Sequence, residues 1–276
     1  MADPLLAHLV CPRCRCGRNQ PSPLQRRRDA LSCRRCRATF PLSDDIPLIV
    51  RDPNWSMPPA NAAELALMED YILAHYPELC ASPRLARRLS INRRLQTWID
   101  RALSRHHRAS GVALELGCGP GAYAPLWAQH AAFTILSDIR PAFAHCAHAY
   151  WSTVHPDRFG TIVCDAHDPP FRGASMSLVA AINLLDSTTE PWLLLGQIDA
   201  LLPPGGIAVL TMPFVANFHG PADLIAALQG HRPELPHLRY TILESKDWFP
   251  WLVPAGERLI HEYRVHALVA RKTAPE

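Results

Sequence analysis

Five groups of residues in this chain are spaced so that they could do chemistry. Cys11-Pro12-Arg13-Cys14 and Cys33-Arg34-Arg35-Cys36 form a C-x2-C-x18-C-x2-C pattern, the spacing of a tetrahedral zinc site built from two short turns. Two thiolates from each turn reach one ion at about 2.3 Å, and the metal substitutes for a core that about fifty residues cannot build. Glu115 leads into Gly117, Gly119 and Gly121 at alternate positions. Glycines suit a sharp turn that needs positive φ, and a missing Cβ lets a ligand lie against the backbone. Asp138 stands about twenty residues further on, where an acid can accept hydrogen bonds from both ribose hydroxyls of an adenosine. Asp165 closes another apolar stretch, and Asn183 and Asp186 bracket Leu184-Leu185 after the next.

These side chains need elements to hold them. Residues 112–116 are an apolar run that reads as a buried strand, and residues 122–132 read as the helix after the glycine turn. Strands are predicted over 133–139, 161–164, 176–183 and 207–212, with a helix over 191–202 stopped by Pro203-Pro204-Gly205-Gly206. This alternation indicates an α/β fold with a parallel, doubly wound sheet. Residues 213–238, rich in Pro, His and Gly, are expected to be an insertion over the cleft. Residues 240–245 and 259–270 are expected to pair antiparallel at the end of the chain. The aromatic group Trp248-Phe249-Pro250-Trp251 between them is read as core filling. Upstream, a proline-rich linker over 52–61 precedes predicted helices over 62–77 and 83–107. The second carries an apolar stripe of Leu85, Leu89, Leu95, Ile99 and Leu103.

The segment Glu115-Leu116-Gly117-Cys118-Gly119-Pro120-Gly121 resembles motif I of the class I S-adenosylmethionine (SAM) dependent methyltransferases, and the later segments resemble that superfamily in register. The resemblance implies a Rossmann-like, seven-stranded methyltransferase sheet. It also implies a cofactor site of Glu115, Gly117, Cys118, Gly119 and Gly121 around the methionine part, Asp138 and Ile139 at the ribose, and Asp165 with Ala166 at the adenine. His167 and Asp168 are read as loop residues. The N-terminal segment resembles the small zinc-ribbon activator subunits of methyltransferases, which implies a ribbon that stabilises or orients the catalytic domain. Cys16 is left outside the ligand set. Asn183-Leu184-Leu185-Asp186 is similar to a segment of the imidazole N-methyltransferases, which act on histidine or histidine-derived small molecules. This similarity implies catalytic roles for Asn183 and Asp186, with Asn183 also near the cofactor. The chain departs from that group in carrying Ser187 where an Arg often follows.

The domain layout expected from these readings is a small zinc-ribbon domain over 1–52, a linker with capping helices over 53–110, and a methyltransferase domain over 111–276. At 276 residues and 48% hydrophobic content the chain can build a full α/β domain with a small appendage. No apolar run is long enough to span a membrane, and the N-terminus lacks a basic signal-peptide region. A reducing, cytoplasmic setting is expected from nine cysteines that include two C-x-x-C pairs. Residues 1–52 hold ten Arg against five Asp, and residues 84–108 hold eight Arg against Asp100 alone. Two basic faces follow, which keep rRNA or tRNA as an alternative acceptor to a small molecule or a histidine-bearing peptide or protein. A third reading is a non-catalytic SAM-binding scaffold. Oligomeric state is not encoded in any of these features.

Overall fold

The computed structural model describes residues 4–15, 22–52, 55, 62–214, 218–256 and 258–274. Cys16 lies outside them. The chain opens with a 3-10 turn, Leu5–His8, and a single helical turn α1 (Pro12–Arg15), followed by strands β1 (Leu24–Arg27), β2 (Ala30–Cys33), β3 (Thr39–Ser43) and β4 (Ile46–Ile49). Helices α2 (Ala62–His75), α3 (Pro83–Leu89) and α4 (Arg93–His106) lead into β5 (Val112–Leu116). Then come α5 (Ala124–His130), β6 (Phe133–Asp138), α6 (Pro141–Ala147), β7 (Phe159–Cys164), β8 (Leu178–Ile182), α7 (Pro191–Leu201) and β9 (Ile207–Met212). Helix α8 (Pro221–Leu228) precedes a long hairpin of β10 (Tyr240–Pro254) and β11 (Ile260–Lys272).

All eleven strands join one sheet in the order β1-β2-β3-β4-β7-β6-β5-β8-β9-β11-β10. The expected seven strands are present as the run from β7 to β10, but the sheet has eleven. The reason is β4, whose Leu48 and Ile49 pair parallel with Val163 and Cys164 of β7. All four β4 residues are buried, as in a strand covered on both faces. Antiparallel pairing then carries β3, β2 and β1 outward from it. Further contacts seat the N-terminal segment on the sheet. Val10 N–H donates to Pro170 O at 2.8 Å, and Leu9 bridges Phe171. Leu5 lies so close to Gly160 that a Cβ there would meet it at 3.0 Å.

The chain winds from β5 through β6 to β7 on one side, then crosses back to place β8 and β9 on the other side of β5. The two adjacent strands β5 and β8 therefore diverge in their connections, and the crevice outside their carboxyl ends is where such folds bind ligands. β5, β6, β7, β8 and β9 are buried along their whole length. Their apolar runs reflect cover on both faces.

Three expectations about secondary elements change. The helix predicted over 83–107 is broken at Ser90–Asn92, because the Asn92 side chain turns inward. Its Nδ2 donates to Ala74 O and Leu252 O, both at 2.9 Å, while its Oδ1 accepts from Leu252 N–H at 2.8 Å. Residues 213–238 are only in part a cover for the cleft: among those described, Pro213 lines it, while the later leucines go into the core. Leu224, Leu228, Leu235 and Leu238 are buried in the core shared with Leu194 and Ile198 of α7, so burial of this leucine face decides their place. The final strands run longer than predicted and bulge between Lys246 and Phe249. That shift leaves Trp248 49% exposed while Phe249 and Trp251 are buried, so only part of the aromatic group fills core.

Candidate functional site

A cavity of about 590 Å³ opens at the carboxyl ends of β5 to β8. This volume is within the usual range for a small-molecule site. The glycine turn after β5 forms its floor. Gly119 has φ of 52° and nothing within 4 Å of where a Cβ would be, so its backbone is open to a ligand. Gly117 is close-packed: a Cβ there would lie 2.7 Å from Leu184 Cδ1. Gly121 faces away from the cavity and lets Ala147 and Trp151 pack against the turn.

Two carboxyl groups lie beside this turn. Glu115 is 1% exposed, and its Oε2 accepts from Trp127 Nε1 at 2.8 Å. Burial pushes its pKa up to about 8, opposed by the Trp127 donor and reinforced by the nearby Asp138 carboxylate. Asp138, at the end of β6, accepts from Gly119 N–H on Oδ2 and from Arg140 N–H on Oδ1, each at 2.9 Å. Its pKa is also raised by burial, with those backbone donors opposing. Asp138 thus pins the glycine turn to β6 while lining the cavity. Ile139, next in the chain, lines the cavity and stays partly exposed.

The end of β7 supplies Cys164, and the loop after it supplies Asp165, Ala166 and His167. Asp165 Oδ1 accepts from His167 N–H at 2.8 Å and lies 2.9 Å from His167 Nδ1, and the other ring nitrogen meets the Thr188 hydroxyl. His167, read from sequence as a loop residue, therefore bridges the β7 and β8 sides of the cavity. After β8, Asn183 adopts φ of 54°, a conformation that Asn tolerates better than most residues. The buried Thr211 hydroxyl holds it there by accepting from Asn183 N–H at 2.9 Å and donating to Asn183 Oδ1 at 2.8 Å. Asp186 follows in a 3-10 turn, Leu185–Ser187, and lines the same cavity.

Glu115, Gly117, Cys118, Gly119, Asp138, Ile139, Asp165, Ala166, Asn183 and Asp186 thus share one cavity, and Gly121 alone of the predicted set stands behind it. The rest of the lining comes from Leu67, Tyr71 and His75 of α2, from Tyr123 just after the glycine turn, and from Trp251, Val253 and Tyr263 of the hairpin; the sequence suggested capping helices over 53–110 and core packing for Trp251, and named none of these residues as site residues. Tyr71 and His75 sit at i and i+4 of an apolar helix, a pattern that ordinary packing also produces.

The four cysteines of the N-terminal pattern also meet. Their sulfurs all lie within 4.8 Å of one another, with Cys11 and Cys36 at 3.6 Å and Cys14 and Cys33 at 3.6 Å. Four thiolates at about 2.3 Å from one tetrahedral ion would be about 3.8 Å apart, so the donor set fits zinc in number, type and spacing.

A family model described as a methyltransferase domain matches residues 114–210. No curated protein matches the chain. Among solved structures, magnesium protoporphyrin IX methyltransferase from Synechocystis PCC 6803 with bound SAH is similar over 78% of this chain and 95% of its own, at 15% identity and a TM-score of 0.56. The same enzyme with bound SAM gives 78% and 100%, 15% identity and 0.52. The [4+2]-cyclase SpnF is similar over 80% of this chain and all of its own, at 16% identity and 0.50. These likenesses show an α/β methyltransferase fold. No helix among the described residues is long and apolar enough to cross a membrane.

The state of Glu115 has a measurable consequence. The folded chain keeps its proton up to a pH of about 8, whereas an unfolded glutamate ionises near 4.5. Between those values the folded state binds more protons than the unfolded state, so stability falls as pH rises across that window. Glu115→Gln should flatten the profile, reducing the loss of unfolding free energy between about pH 5 and about pH 8 by at least ~1 kcal/mol. Urea unfolding across pH measures it, and an unchanged slope would mean that Glu115 is ionised throughout.

Proposed function

We propose that this S-adenosylmethionine-dependent methyltransferase methylates a ring nitrogen of an imidazole-type acceptor, either a histidine-derived small molecule or a histidine in a peptide or protein. The observation that carries the reading is the placement of Asn183 and Asp186 in one cavity with the glycine turn, Asp138 and Asp165. The open backbone at Gly119 and the buried carboxyl groups beside it suit a cationic nucleoside cofactor. In this assignment Glu115, Gly117, Cys118 and Gly119 receive its methionine part, with Gly121 shaping the turn from behind. Asp138 and Ile139 receive the ribose, and Asp165 and Ala166 the adenine. SAM, when bound, supplies an electrophilic methyl group on a sulfonium.

A neutral imidazole has a pKa near 6.5 and carries a lone pair on one nitrogen, so no strong base is needed to make it a nucleophile. The protein has to hold one tautomer in line with the methyl. Asp186 accepts the N–H of the opposite ring nitrogen and later holds the positive charge that develops on the ring. Asn183, fixed through Thr211, orients the acceptor ring or the methionine end of the cofactor.

The N-terminal module is assigned a structural zinc held by Cys11, Cys14, Cys33 and Cys36. Its place at the sheet edge supports a bracing role: β4 pairs with β7 just before Asp165, and Arg51 Nη1 lies 3.9 Å from Asp168 Oδ2.

The primary experiment transfers a labelled methyl group from SAM into a cell extract that is then treated separately with ribonuclease and protease. Label recovered as methylated imidazole in the small-molecule or protein fraction supports the reading. Label released by ribonuclease overturns it and makes RNA the acceptor. On the identified acceptor, Asp186→Ala should lower kcat by about 100-fold or more while SAM affinity changes less than about threefold. Equal turnover in that variant would remove Asp186 from the mechanism. For the metal, Cys33→Ser should lose most of the zinc found by elemental analysis and lower the melting temperature of the whole chain. Full zinc content in that variant would refute the ligand set.

A further inference from the structure

We propose that the wall formed by α2 and the β10–β11 hairpin is the methyl-acceptor subsite, in which the Tyr123 hydroxyl and the His75 imidazole recognise a flat, uncharged heteroaromatic ring. The proposal rests on the methyl-transfer reading of the cavity and names residues that the sequence did not single out.

The cavity is chemically two-sided. The glycine turn, Asp138 and Asp165 occupy one side. Arg140, the only Lys or Arg among the described lining residues, donates its backbone N–H to Asp138, and its charge also acts on Tyr71 of α2. The opposite side presents rings. His75 lies 5.0 Å from Trp251 at an interplanar angle of 60° and 6.1 Å from Tyr123 in an edge-on arrangement. Tyr71 stands 6.4 Å from His75 and continues the series towards Phe143 at 6.0 Å. Faces and edges at these separations accept another flat ring by offset or edge-on contact.

Two polar atoms in the ring wall have no hydrogen-bond partner. Tyr123 is 1% exposed and its hydroxyl is unpaired, and His75 Nδ1 is likewise buried and unpaired. Buried polar atoms are paired in the great majority of cases. Both of these belong to residues that line the cavity. A ring with one N–H and one lone-pair nitrogen offers both a donor and an acceptor to such a pair. Burial among aromatic rings holds the His75 pKa down at about 4, so this imidazole is neutral near pH 7 and does not repel a cationic cofactor.

The wall is also braced from behind. Asn92 joins Ala74 O to both the N–H and the C=O of Leu252. Those two residues are the chain neighbours of His75 and Trp251, so one buried amide sets the distance between the two rings. At the mouth, Leu67 and Tyr71 remain 40% and 36% exposed, which gives the acceptor a way in past α2.

The test uses the full chain saturated with S-adenosylhomocysteine and three ring probes, 4-methylimidazole, phenol and adenine, with binding followed by ligand-observed NMR. Tyr123→Phe removes one oxygen and keeps the ring that stacks on Trp127, so it preserves the fold; His75→Phe is the second variant. At least one probe should bind the unaltered chain and lose about tenfold in affinity in each variant. Affinity for S-adenosylhomocysteine should stay within about threefold. The proposal is overturned if no probe binds, if the probes bind the variants as tightly as the unaltered chain, or if S-adenosylhomocysteine affinity falls in parallel. Binding of phenol or adenine that depends on Tyr123, with none of 4-methylimidazole, would support the subsite and refute the imidazole assignment.

Discussion

β7 has a hydrogen-bonded neighbour on each side, and much of the molecule depends on that pairing. Without β4, β7 would be the edge of a parallel sheet, with a row of unpaired backbone groups and a functional loop at its end. Pairing of Ile49 with Cys164 stops one residue before Asp165, so the ladder fixes the backbone from which that carboxylate projects. Val10 and Leu9 then hold Pro170 and Phe171, anchoring the far end of the same loop. The four-cysteine cluster belongs to the same N-terminal segment as these contacts, and the apolar side chains of that segment, Leu24, Leu31 and Phe40 among them, are buried in the core that the sheet shares.

The charge balance of the cavity is the second constraint. Glu115, Asp138, Asp165 and Asp186 line it against a single arginine among the described residues. Carboxylates taken out of water are costly unless paired or neutralised. The two deepest are handled differently: Asp138 takes two backbone N–H donors, while Glu115 has one indole donor and keeps its proton. The result is an acidic recess that a cationic ligand would relieve. A neutral His75 on the opposite wall adds no competing charge.

The parts legible in the sequence were those whose geometry is local. The strand, glycine turn and helix around Glu115 are contiguous, and the ends of β6, β7 and β8 carry their acids at predictable distances along the chain. The cysteine spacing likewise encodes one turn at a time. What escaped depended on contacts between remote segments. Ile46–Ile49 fell within the N-terminal stretch that resembles a small zinc ribbon and was not assigned to the main sheet, and its lack of any polar alternation was the sign that it is covered on both faces. Residues 213–238 were judged by their Pro, His and Gly, yet Leu224, Leu228, Leu235 and Leu238 carried the packing. The break at Asn92 arises because an amide satisfied by α2 and β10 outweighs continuation of a helix, and no local pattern announces those partners.

The segment that matches the family model and the ring-bearing part of the cavity separate along the chain. A cyclase shares this fold, so the sheet by itself does not choose a reaction. Residues 114–210 match the methyltransferase domain model, and they contain the glycine turn and every acid that lines the cavity. Most of the ring wall comes from elsewhere: α2 precedes that segment and the hairpin follows it, while Tyr123 and Phe143 lie inside it. Asn92, which joins the two outlying pieces, also lies outside. His75 and Trp251, 176 positions apart in the chain, come within 5.0 Å of each other, and the buried Asn92 amide joins the chain neighbour of one to the chain neighbour of the other.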